Sequence, residues 1–416
     1  MGRFPVGVDT VKDYLFTSES VTEGHPDKVC DAIADAILDD IIARDAESHV
    51  AVEVLATTGL VVVSGEVSCG CYCDMNGIAR STIQGIGYHS AAFGFDGATC
   101  GVFVSVDDQS SDIAEGVRKS EEERLGTAED DFDRQGAGDQ GMMFGYACTE
   151  SERFAPGAYM PLPIFLAHRL AQQLAQVRKD GTIDFIGPDG KTQVTVRYRD
   201  GEPVCIERVL IAAQHLEGVP PDKLKQALLE TVVRPVIPRE LYPTDGLSGD
   251  RVLVNPSGKF VKGGPLADTG LTGRKIIVDT YGGCAHHGGG SFSGKDPSKV
   301  DRSASYYARY VAMNLVAAGV ADKLELEVAY AIGRARPVSI AVNAFETERV
   351  STERIEQFLE SREVFDFRPA AIIHQLELKA PLYRQVSAYG HFGRTDLDLP
   401  WERINRVDEV KQALLQ

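Results

Sequence analysis

The sequence predicts an α+β fold: mixed sheets covered by helices. Three observations lead there. Strand-like alternation and helix-like i, i+4 stripes occur in every third of the chain. They do not follow strict β-α-β order, and long antiparallel pairings suit the turn positions better. At 416 residues, with 43% hydrophobic and 25% charged side chains, the chain can bury a large core in two or three domains.

The elements follow in order. Residues 1–12 read as a loose extension. Pro26 opens a helix with Val29, Ile33, Ile37 and Ile41 on one face. Asp27, Asp31, Asp35 and Asp39 share another face, read as solvated apart from Asp27 in the first turn. Val50, Val52 and Val54 alternate in a strand, and Leu60 to Cys73 continues as a second. A turn centred between Gly59 and Leu60 sets Glu53 opposite Glu66. Facing carboxylates repel, so two readings stand: solvent exposure, or a site for a cation or an ammonium group.

From Asp107 to Asp139 apolar residues are sparse and acidic runs frequent, which reads as a mobile lid or a linker. A second domain begins near Gln140. Leu162 to Lys179 forms a helix stopped by Gly181. The turn Pro188-Asp-Gly-Lys191 precedes a strand from Gln193 to Tyr198, and Asp222 to Val233 is helical. The third domain starts near Val261. It carries a strand at Arg274–Asp279, a helix from Ser303 to Val320, and strands at Glu325–Ile332 and Val338–Asn343.

The net charge of −18 excludes general nucleic-acid or anionic-membrane binding. Seven basic residues nevertheless lie between Lys259 and Arg302, against four acidic ones. That balance suits a site for one small polyanion. No run nears the ~18 apolar residues of a membrane span, and Met1–Phe16 lacks the apolar segment of a signal peptide. The expected compartment is a reducing cytoplasm. Cys69, Cys71 and Cys73 alternate in the expected strand. They read as small core residues or as a thiolate metal site.

Chemistry concentrates in three places. Gly282 to Arg302 is rich in glycine, which lets a ligand approach backbone N–H groups, and Lys295, Lys299 and Arg302 add positive charge. Gly289–Lys295 fits Gly-x-x-x-x-Gly-Lys, but Asp296 stands where a Walker loop needs Ser or Thr for Mg²⁺. The loop binds phosphate or is structural. Gly24-His25-Pro26-Asp27-Lys28 places an imidazole, a carboxylate and an ammonium at a helix start. It is a phosphate and Mg²⁺ site or a plain cap. Gly136-Ala-Gly-Asp139-Gln-Gly141 is a turn, or a carboxylate offered to a ribose or an amine.

Five motifs stand in order along the chain. They are Phe16-Thr-Ser-Glu-Ser-Val21, Gly24-His-Pro-Asp-Lys28 and Gly136-Ala-Gly-Asp-Gln-Gly-x-Met-Phe-Gly-Tyr146. The others are Gly270-Leu-Thr-Gly-Arg-Lys-Ile-Ile-Val-Asp279 and Gly288-Gly-Gly-Ser-Phe-Ser-Gly-Lys-Asp-Pro-Ser-Lys-Val-Asp-Arg302. Together they resemble the S-adenosylmethionine synthetase family from about Tyr14 to Trp401. The resemblance implies three similar interleaved domains with approximate threefold symmetry, at 12–115, 131–259 and 261–401, with a gating loop at about 107–139. It implies active sites between two subunits of a homodimer or homotetramer.

The implied reaction joins ATP and L-methionine: the sulfur attacks ribose C5′, and the triphosphate leaves and is hydrolysed to phosphate and diphosphate. A neutral thioether needs no base, so catalysis rests on cations and positioning. By resemblance, His25 lies near the bond between triphosphate and C5′, and Lys191, Arg274, Lys275 and Lys295 bind phosphates. Lys259 and Ser291 line the ATP site, Asp139 and Asp189 contact the nucleoside, and Phe260 stacks on adenine. Glu66, Gln109, Asp268 and Lys299 contact methionine, with Asp268 also near the nucleoside. Asp27 and Asp301 hold Mg²⁺, and Glu53 holds K⁺. Two departures are visible: Ser291 replaces a frequent Ala, and the Lys119–Asp133 stretch is longer and more acidic than in compact members. The readings outside this family are a glycine-loop phosphotransferase or ATPase, and a non-catalytic nucleotide-binding regulatory subunit.

Overall fold

The computed structural model describes residues 13–90, 93–109 and 119–416; the extension expected at 1–12 lies outside them. The strands are β1 (Asp13–Val21), β2 (His49–Thr57), β3 (Leu60–Ser68), β4 (His89–Ser90), β5 (Phe95–Asp96), β6 (Gly101–Asp107) and β7 (Gly141–Cys148). They continue with β8 (Ile186–Arg199), β9 (Glu202–His215), β10 (Val252–Val254), β11 (Gly270–Leu271), β12 (Lys323–Tyr330) and β13 (Ser339–Asn343).

Three larger sheets result, in the orders β1-β8-β9-β10, β11-β2-β3-β6 and β13-β12-β7. Each takes a strand from a distant part of the chain. The first borrows β1, the second β11 and the third β7. The loans run in a closed cycle, so none of these three sheets is built from one contiguous segment.

One long helix covers each sheet. Pro26–Ile42 packs on β2, Leu162–Lys179 on β1 and β8, and Val300–Ala317 on β7 and β12. The expected stripe Val29, Ile33, Ile37 and Ile41 is wholly buried. Fixing such side chains in the core contributes roughly 1.5–3 kcal/mol each before entropy is counted. The β8–β9 hairpin turns at Asp200-Gly201, both with positive φ, a pair whose twist matches the flanking strands.

Several expectations need correction. The β2–β3 hairpin turns at Thr58-Gly59, pairing Thr57 with Leu60, so Glu53 faces Ser64 and Glu66 faces Ala51. The two carboxylates are diagonal neighbours on one exposed face. β3 ends at Ser68, and Cys69–Cys73 form a bend instead of strand, with the Cys69 thiol donating to Cys71 O at 3.1 Å. No group of three or more His, Cys, Asp or Glu among the described residues is placed to hold a metal. Pro188–Lys191 is not a turn but a bulged part of β8. Ile276–Asp279 is one helical turn, not a strand. The Asp222–Val233 helix runs as Pro221–Leu228 and then widens to a π turn over Leu229–Val233.

The acidic row on the first helix is not solvated. Asp27, Asp31 and Asp35 are buried, because each has partners reaching in from residues 271–302. Nor is the 107–139 region without structure. Residues 110–118 lie outside the description, but Glu121–Leu125 is helical and Asp131–Asp133 forms a 3₁₀ turn.

Candidate active site

The start of the Pro26–Ile42 helix organises the first group of residues. His25 caps it, its Nδ1 accepting the Asp27 N–H at 3.2 Å. That bond leaves the proton on Nε2. Burial, helped by Lys275 and Lys191, pushes the imidazole pKa down to about 3, against the pull of Asp27. His25 is therefore neutral, and Nε2–H is a donor.

Asp27 ties the helix to the next segment. Its Oδ1 accepts Leu271 N–H at 3.0 Å and its Oδ2 meets Lys275 Nζ at 2.5 Å. Burial alone would raise this carboxyl, but the Lys275 and Leu271 bonds outweigh it and hold it low. Asp31 accepts Gly273 N–H at 2.9 Å. A Cβ at Gly270 would lie 2.1 Å from Pro26 O, so only glycine permits this approach. The result places the half-buried Lys275 near His25, with the exposed Arg274 next to it in the chain.

Lys28 does not face a ligand, contrary to the local reading. It is wholly buried between Asp31 (2.9 Å) and Asp279 (2.5 Å), and these carboxylates overcome desolvation to raise its pKa. Desolvation dominates Asp31, lifting it to about 7.

The β8 bulge adds Asp189 and Lys191. Thr22 N–H donates to Gly190 O, and a Cβ on Gly24 would strike Pro188 O, so this bulge lies against the His25 loop. Asp189 is buried. Its Oδ2 accepts Gly264 N–H at 2.8 Å, and its N–H donates to Gln214 Oε1 at 3.3 Å. Its Oδ1 has no partner among the described residues, and burial lifts the carboxyl to about 6. A buried, unpaired acceptor is a place for a ligand donor. Phe260 is half-buried and exchanges hydrogen bonds with His215; Lys259 and Asp268 stand exposed on either side of that segment.

The second group is the glycine-rich loop. Lys295 Nζ pairs with Asp301 Oδ2 at 2.6 Å. The loop docks on the edge of β2: Val52 N–H donates to Gly294 O, and Asp296 takes the Val50 N–H at 2.7 Å while also pairing with Lys299. Arg302 is not a cation for a ligand. It lies buried in a two-pronged pair with Asp35 (2.7 and 2.8 Å) and donates to Lys295 O. Asp35 also accepts Gly294 N–H, so this pair fixes the loop from below. Ser291 lies against Gly273, which joins the loop to the Arg274–Lys275 segment.

Asp139 is exposed, its loop resting on Ser298 and Lys299 through Gly138. Glu53 and Glu66 lie on the open face of β2-β3-β6. Incomplete solvation raises the Glu53 carboxyl, Lys295 opposes this, and Asp31 and Glu66 reinforce it. Gln109 N–H donates to Ser68 Oγ, and its Oε1 has no partner among the described residues.

His25, Asp27, Asp189, Lys191 and Lys275 thus gather around the first helix start, with Asp268 near Asp189; Phe260 lies on the segment bonded to His215, next to Lys259, and Arg274 precedes Lys275. Ser291, Lys295, Lys299, Asp301, Asp139, Glu53, Glu66 and Gln109 gather around the loop and the open sheet face. The sequence reading missed the supports: Asp31, Asp35, Asp279, Gln214 and the Gly264 amide. An acidic row inside an apolar helix was the available signal for the aspartates, since burial demands basic partners.

Among the described residues no helix is long and apolar enough to cross a membrane. Residues 13–111, 134–260 and 262–403 match, in turn, the N-terminal, central and C-terminal domains of S-adenosylmethionine synthetase. The chain is 57% identical over 400 residues to the S-adenosylmethionine synthase of Desulforudis audaxviator, covering 96% of this chain and 98% of that protein. It is 54% identical over 400 residues to that of Clostridium botulinum (96% and 99%), and 56% over 410 to that of Petrotoga mobilis (97% and 100%). With all three domains matched in order and relatives more than half identical along nearly their whole length, the chain belongs to the S-adenosylmethionine synthetase family.

Proposed function

We propose that the chain forms S-adenosyl-L-methionine from ATP, L-methionine and water, releasing phosphate and diphosphate. The observation that carries this reading is the His25 site: a neutral imidazole donor near Lys191 and Lys275, with one carboxylate, Asp27, paired to Lys275. With Asp27 offset by Lys275, the lysines and the imidazole donor favour negative charge developing on a triphosphate leaving group, and a thioether asks no base of the site.

Each residue takes a part. His25 donates from Nε2 toward the bridging oxygen at C5′ as the C–O bond breaks. Lys191, Arg274, Lys275 and Lys295 hold phosphate oxygens. Asp189 Oδ1 accepts from the nucleoside, with Asp139 beside it, and Phe260 offers its ring to adenine near Lys259 and Ser291. Glu66, Gln109, Asp268 and Lys299 orient methionine, its ammonium toward the carboxylates.

Asp27 and Asp301 fit Mg²⁺ by donor chemistry: each is a single carboxylate now neutralised by one lysine, and Mg²⁺ commonly takes one or two carboxylates plus substrate phosphates. Phosphates taking up the lysines would release Asp27 Oδ2 and Asp301 Oδ2. Bound Mg²⁺ would supply further charge neutralisation. Glu53, raised first by incomplete solvation and then by Asp31 and Glu66, suits K⁺.

The two groups of residues complete one site across a homodimer, alone or within a tetramer. The open face of β2-β3-β6 supports this, since Leu55, Val62 and Phe103 form an apolar row next to Glu53. Three domains near 12–115, 131–259 and 261–401, with approximate threefold symmetry, suit the cyclic strand loans. The compartment is the cytoplasm.

A phosphotransferase reading is disfavoured: Asp296, at the Walker hydroxyl position, is buried and fully committed to Val50 and Lys299. Mass spectrometry of the purified chain with ATP, L-methionine, Mg²⁺ and K⁺ tests the proposal. Equal amounts of S-adenosylmethionine, phosphate and diphosphate are expected. ADP without S-adenosylmethionine would replace the reading with phosphotransfer, and bound but unreacted ATP with a regulatory subunit.

A further inference from the structure

The acidic stretch from Lys119 to Arg134 is docked against the rest of the chain. Its ends close on each other, with Ser120 N–H donating to Arg134 O at 2.9 Å and Ser120 Oγ donating to Asp133 O. It is docked into three arginines of the C-terminal region. Arg368 holds Asp130 (2.6 Å), the buried Asp133 (3.0 Å) and Asp366 (2.6 Å). Arg336 holds Asp133 (2.8 Å) and Glu129 (3.0 Å), and Arg362 adds a second contact to Glu129 at 3.0 Å. The buried Glu122 carboxylate accepts the Ala335 and Arg336 N–H groups at 3.0 and 3.2 Å. The Phe132 ring lies under the Arg368 guanidinium.

This docking continues directly into the candidate site. Glu121 N–H donates to Gly333 O, Gly333 N–H to Ala137 O, and Ala137 N–H to Arg334 O. Gly136 packs against the Gly333 backbone and Gly138 against Ser298 O. The next residue is Asp139. The backbone that carries Asp139 is thus strapped on one side to residues 333–336 and on the other to the glycine-rich loop.

We propose that Arg336 and Arg368 are positioning residues for the nucleoside end of the ATP site. They act through Asp130, Asp133 and Glu122, which fix the 119–134 segment and so the Asp139 loop. The inference rests on the ATP-site reading given above. The buried pairs set the position; the exposed Glu129 and Asp130 pairs trim it and can be removed with little effect on folding.

The test compares wild type, Glu129→Gln/Asp130→Asn and Arg368→Gln. Hydrogen exchange of the 119–137 amides, ATP affinity by calorimetry, and KM and kcat are measured on each. The double variant should exchange faster over 119–137 and raise KM for ATP about tenfold, with kcat within a factor of about two, the pattern of a lost contact that ground and transition state share equally. Arg368→Gln should do more, and Arg368→Lys should recover only part, because lysine cannot hold two carboxylates in a planar fork. Should Arg368→Gln fail to fold, the exposed double variant decides alone. Faster exchange with unchanged ATP affinity and KM would overturn the proposal, as would unchanged exchange. If wild type binds ATP without forming S-adenosylmethionine, the reaction reading fails while the clamp is still judged on ATP affinity.

Discussion

Single side chains divide here into those facing a ligand and those holding them in place. Lys295 is of the first kind, part-exposed and paired with Asp301. Lys295→Ala should lower kcat about 10²–10³-fold, the usual effect of losing one preorganised charge partner. Its folding stability should fall by no more than the ~1 kcal/mol of a lost surface pair. Calorimetry and turnover on one preparation check both. Asp189 yields a pH prediction. Burial lifts its carboxyl to about 6, above the ordinary value of 3.8. The fold therefore favours the protonated form, and that contribution is full below 3.8 and lost as pH rises through about 6. Asp189→Asn should abolish this part of the stability slope between pH 4 and 7, so its thermal midpoint gains on wild type toward pH 7. An unchanged difference across that range would refute the assignment. The same variant should bind ATP more weakly.

Elements show what local pattern can and cannot carry. The Leu162–Lys179 helix was legible because its leucine stripe and Gly181 are local facts. The Arg274–Asp279 segment was not: Ile-Ile-Val reads as strand, yet Asp27 and Asp31 capture the Leu271 and Gly273 amides from over 240 positions away and lead the chain into a helical turn. The acidic helix row failed for the same reason, since Arg302 reaches Asp35 across 267 positions. The glycine-rich loop was found by composition, but its anchoring was invisible. Asp35→Ala should cost about 3–5 kcal/mol, because it leaves the Arg302 guanidinium buried and unpaired; chemical denaturation measures this. Gly294 has φ +82°, and a Cβ there would lie 2.0 Å from Val52 O. Gly294→Ala should therefore detach the loop from β2, lowering both stability and turnover, whereas Gly289→Ala strains the backbone alone, having nothing within 4 Å.

At the scale of the molecule, the strand loans make the three sheets mutually dependent. A fragment of residues 134–260 lacks β1 and so leaves an open edge on β8. It should be poorly soluble and show weak near-ultraviolet dichroism, while adding the 13–21 peptide should improve both; a well-folded fragment would refute the dependence. The same cycle governs how the chain can fold as it leaves the ribosome. β1 emerges early and must wait for residues 186–199, the β2 edge waits for residue 270, and β7 waits for residues 323–330. Each sheet thus stays open until a later segment has been made, and the last gap closes only when about four-fifths of the chain has been synthesised. For most of its synthesis the protein carries unpaired strand edges, so the period of greatest aggregation risk falls during translation, and slow stretches of translation before residue 330 would lengthen it.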